Sequence, residues 1–84
     1  TIMPEVFRKN GWRFFFYSNE GNEPIHIHCQ NSEKTCKFFI DIKLKELYLA
    51  DSKNVSNSDI SKVKKMIIDN LDVIILKWNE HFKR

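Results

Sequence analysis

Trp12-Arg13-Phe14-Phe15-Phe16-Tyr17-Ser18, followed after six residues by Ile25-His26-Ile27-His28-Cys29-Gln30, decides the fold of this chain. The first run is too short for a helix core and rich in residues that suit a pleated, half-buried surface, so it reads as a strand. The second alternates strictly, with Ile25, Ile27 and Cys29 on one face and His26, His28 and Gln30 on the other. Between them, Asn19-Glu20-Gly21-Asn22-Glu23-Pro24 is turn chemistry: Gly21 and Asn22 readily take positive φ and Pro24 ends pairing. Two strands joined by a hairpin loop follow.

Asn31-Ser32-Glu33-Lys34 is a second polar turn, and residues 36–42 form a third strand with Cys36, Phe38, Ile40 and Ile42 alternating against Lys37, Phe39 and Asp41. Residues 46–50 read as a fourth strand. Helix then takes over. Ser56 is an N-cap with Asp59 as its acidic partner, and Val55 with Ile60 forms a hydrophobic staple. Ile60, Val63, Ile67, Leu71, Ile74, Trp78 and Phe82 recur at steps of three and four, one apolar stripe facing a core. An unbroken helix over that span would be about 39 Å long. Asp69-Asn70, weak inside helices and good at caps, is where a kink or break is expected.

The 84 residues make a single domain, residues 1–84, with 42% apolar content and seven phenylalanines to build one core. Two glycines and two prolines leave little room for linkers. The two cysteines, Cys29 and Cys36, are too few for a secreted disulfide scaffold and read as free core thiols. The sequence shows no basic-then-apolar leader and no apolar run near the roughly 18 residues of a membrane span, so a cytoplasmic domain is expected, with no membrane partner. Fourteen Lys and Arg against eleven Asp and Glu give a net charge of +3, a mild basicity that permits a polyanionic partner without requiring one.

The expected architecture is α+β: a three- to four-stranded antiparallel N-terminal sheet, one face covered by a C-terminal helix or helix pair. The all-apolar face of Trp12, Phe14, Phe16, Ile27, Phe38 and Ile40 belongs under the helices. The other face then carries Arg13, Phe15, Tyr17, His26, His28, Gln30, Lys37, Phe39 and Asp41. Solvation accounts for its charges. It accounts less well for three rings and two neighbouring imidazoles.

Met3-Pro4-Glu5, the run Phe16-Tyr17-Ser18-Asn19-Glu20-Gly21-Asn22-Glu23-Pro24 leading to His26-Ile27-His28, and Trp78-Asn79-Glu80 together resemble a family of short bacterial proteins, the domain of unknown function numbered 4160. The resemblance covers nearly the whole chain, most specifically the F-Y-S-N-E-G-N-E-P-x-H-I-H signature. Ile25 stands where a second proline is common in the family, and Cys29 where valine is common; both changes keep the face pattern. The resemblance implies no established activity. It does imply a neighbouring small protein, in the style of toxin–antitoxin pairs.

His26 and His28 sit about 7 Å apart on one strand face. Cleavage of RNA by its own 2′-OH needs a base, an acid and positive charge at the phosphate, and no cofactor. On that reading the two histidines move protons, Arg13 and Lys37 supply charge, and Tyr17 donates a proton or a stacking surface. Arg13, Phe15, Tyr17, Lys37 and Phe39 also resemble, in chemical type, the stacking platforms of single-stranded RNA binders. Plainer readings stand beside these: hydrogen-bonded surface histidines, and rings that pack on a partner protein or second subunit. A metal would need Glu20, Glu23 or Asp41 beside the imidazoles, and only the pair is legible, so neither metal nor cofactor is expected. Lys62, Lys64 and Lys65 read as a solvated helix face. The expected function is a small toxin-like or regulatory RNA-binding protein, with metal-independent ribonuclease activity an open question. The alternative is a noncatalytic module that docks a cognate small protein.

Overall fold

The structure, a computed structural model, describes residues 5–17 and 23–82. Its elements are β1 (Glu5–Lys9), β2 (Trp12–Phe15), β3 (His26–Asn31), β4 (Lys34–Asp41), β5 (Glu46–Lys53), α1 (Asn57–Asp69) and α2 (Leu71–Phe82). The strands form one antiparallel meander in the order β1-β2-β3-β4-β5. The α+β architecture is thus as expected, with five strands in place of three or four. Residues 19–22 of the turn read over Asn19 to Pro24, together with Met3-Pro4 and Ser18, lie outside the described residues.

The strand that periodicity missed is β1. Only Val6 and Phe7 are apolar in it, and a bulge interrupts their alternation: Glu5 pairs with Phe15 and Phe7 with Phe14, leaving Val6 over. Its signal is the turn. Asn10 and Gly11 both take positive φ, 54° and 84°, the geometry that closes a two-residue hairpin. Phe7 then stacks on Phe14 with ring centroids 4.2 Å apart. At the next hairpin the turn is tighter than the polar run suggested. Asn31 already pairs with Lys34, and Ser32, at φ 54°, makes the reversal. Likewise β5 continues to Lys53, beyond the expected end at residue 50.

Ser56 caps α1 as expected: its hydroxyl accepts from the Asp59 N–H, and the Asp59 carboxylate accepts from the Ser56 N–H. The break falls at Asn70. Its side-chain amide donates to the Met66 carbonyl at 2.8 Å, while its own carbonyl accepts from the Ile74 N–H, so one residue ends α1 and opens α2. Val63, Ile67, Ile74 and Trp78 from the stripe close over Phe14, Phe16, Ile27 and Phe38 in one core. Cys29 and Cys36 face each other across β3 and β4 as buried free thiols. Burial pushes the Cys29 thiol up, and its hydrogen bond to Cys36 holds the Cys36 thiol down.

Candidate functional site

Sheet register builds the site. Phe15 on β2, His28 on β3, Lys37 on β4 and Asp51 on β5 are successive cross-strand neighbours, one row across the face opposite the core. Arg13, Gln30, Thr35 and Lys53 form the next row. Phe15, Tyr17, His28, Gln30, Lys37 and Asp51 contribute to the walls of a cavity of about 300 Å³. A wider depression of about 520 Å³ adjoins it through Gln30, bordered by Arg8, Lys9 and Arg13 at the β1–β2 turn. Arg8 and Lys9 belong to the strand that periodicity missed; reading Asn10-Gly11 as a hairpin turn sets Arg8 opposite Arg13 on this face, and Lys9 opposite Trp12 at the end of the sheet.

His28 sits among rings, stacked against Phe15 at 5.5 Å and edge-on to Tyr17 at 4.6 Å. His28 is half-buried in the cavity wall. His26 shares the strand face but has a different environment. It is fully buried, its ring 5.1 Å from Trp78 of α2 and 5.6 Å from Phe39. Its Nδ1–H donates to the Pro24 carbonyl at 2.9 Å. That corrects the expectation of two open imidazoles. Alternation does put both on one face, but α2 runs past the end of β3 and Trp78 closes over the first of them.

Phe15 also departs from expectation. Only 4% exposed, it lies under the Arg13 guanidinium at 5.0 Å and offers no open ring to a base. Tyr17 and Phe39 keep partial exposure. The cations of the face are matched by carboxylates. Arg13 Nε lies 3.4 Å from Glu5, and Lys37 Nζ lies 3.5 Å from Glu23 and 4.9 Å from the Phe39 ring centroid. The Arg8 hydrogen bonds hold the Glu5 carboxyl below its ordinary value, with Arg8 and Arg13 charge adding to the effect. These pairs are long and only partly buried, and so weak. Glu20 lies outside the described residues. Among the described residues no three His, Cys, Asp or Glu side chains are grouped to hold a metal, and no helix is long and apolar enough to cross a membrane.

The family model described as a domain of unknown function, DUF4160, matches residues 11–79. No curated protein and no solved structure matches the chain.

Proposed function

The chain belongs to the DUF4160 family, a domain of unknown function, so the site geometry alone carries the reading, and we propose that the exposed sheet face binds single-stranded RNA. The carrying observation is the pair of adjoining depressions joined at Gln30, one walled by Tyr17 and His28, the other rimmed by Arg8, Lys9 and Arg13. A nucleotide chain would lay phosphates along the basic rim and set a base against Tyr17 and His28, with Lys37 at the far wall. Cleavage by a histidine pair gains no support, because His26 is enclosed. The second reading, docking of a cognate protein, rests on another surface, the exposed Ile42, Leu44, Tyr48 and Leu49.

Fluorescence anisotropy with a labelled single-stranded RNA of roughly 12 nucleotides tests the proposal. Binding weakens steeply with salt, and Tyr17→Ala costs on the order of tenfold in affinity. Lys37→Ala lowers the salt slope by about one. The RNA stays intact throughout. Equal affinity for duplex RNA, or Tyr17→Ala and Lys37→Ala binding as the wild type does, would place the function elsewhere.

A further inference from the structure

The outer edge of β5 is the longer of the two open edges of the sheet. Among the described residues no strand pairs with it, and apart from Leu47 all of its residues are exposed. Among the described residues, four of the six large apolar side chains left exposed, Ile42, Leu44, Tyr48 and Leu49, lie on the β4–β5 hairpin. We infer that this edge pairs with the same edge of a second copy of the chain, giving one continuous antiparallel sheet across a two-fold axis.

The sequence of β5 is self-complementary in that arrangement. With the axis between Leu49 and Ala50, Glu46 stands opposite Lys53 of the second copy and Lys53 opposite its Glu46, so opposite charges meet at both ends. Tyr48 stands opposite Asp51 and Leu47 opposite Ser52. In a regular strand those partners would point to opposite faces. The bulge removes the conflict. Lys37 pairs with Asp51 and Phe38 with Leu49, so Ala50 is the extra residue and the alternation shifts there by one. Glu46, Tyr48, Asp51 and Lys53 thus share the exposed face with Asp41, Phe39, Lys37 and Thr35, while Leu47, Leu49 and Ser52 share the helix face. Bulges and edge lysines often keep strands apart. Here the bulge aligns the faces of the two copies, and the lysine meets a glutamate.

The inference goes beyond RNA binding and stands without it. The test is sedimentation equilibrium of the full chain in reductant, up to roughly 100 μM, with circular dichroism melts to show that each variant folds. The expected species has twice the 10.1 kDa chain mass. Glu46→Lys and Lys53→Glu each weaken the dimer by on the order of tenfold, and the double reversal restores it. A chain that stays monomeric overturns the inference, whether the edge is then bare or taken by a different protein. A dimer untouched by the single reversals, or not restored by the double one, overturns it as well.

Discussion

The two ends of the β3–β4 hairpin are fastened to the helices by different physics. At the end where His26 pairs with Phe39, the clasp is apolar: Trp78 of α2 packs on Phe16 at 4.9 Å, Phe82 at 4.3 Å and His26 at 5.1 Å. At the turn end it is ionic and partly exposed, with Lys34 Nζ 3.1 Å from the Asp59 carboxylate at the start of α1. Between the clasps lie His28 and Lys37, neighbours in register that line the cavity. The contrast shows how one alternating strand can hold an enclosed histidine and a half-buried one two positions apart. What closes over the strand decides the exposure of each.

If that division is right, the apolar clasp dominates stability. Trp78→Ala should cost about 3–5 kcal/mol, a large share of what a domain of this size has, read as a drop in the urea midpoint. His26→Ala should follow at about 2–3 kcal/mol, since it removes a buried ring and the bond to Pro24. His28→Ala, half-buried, should stay within about 1 kcal/mol. Equal losses at the two histidines would erase the distinction between the ends.

The ionic clasp gives the smallest effect and the one that pH can switch. A hydrogen bond from Lys34, with the Ser56 N–H adding to it, holds the Asp59 carboxyl below its ordinary value of 3.8. A depressed carboxylate contributes stability above its unfolded value and loses it as pH falls through the lower folded one. Asp59→Asn should therefore melt below the wild type at neutral pH, and the two curves should converge in acid. A gap that persists unchanged in acid would assign the loss to the capping geometry and not to the charge.

Legibility in the sequence followed the strength of local pattern. The helical stripe, the Ser56 cap and the interruption at Asn70 were readable because period and capping chemistry agree there. Strand β1 was not, because its bulge breaks alternation and its best evidence, Asn10-Gly11, lies in the turn outside it. The common face of His26 and His28 followed from alternation. Their unequal burial did not, because it depends on where α2 crosses the end of the sheet, and nothing local to β3 encodes that. Phe15 was hidden for a similar reason: its strand neighbours say which way it points, not that Arg13 lies over it.

The most direct test of the account follows the imidazole ¹⁵N and carbon-bound ¹H resonances of the chain's three histidines while single-stranded RNA is titrated in. The His28 signals should move in step with binding, while those of His26, enclosed by Trp78 and Phe39 and touching His28 only edge-on at 5.2 Å, move much less, and those of His81, on α2, stay in place. RNA binding that shifts His26 as far as His28, or that leaves His28 unmoved, would contradict it.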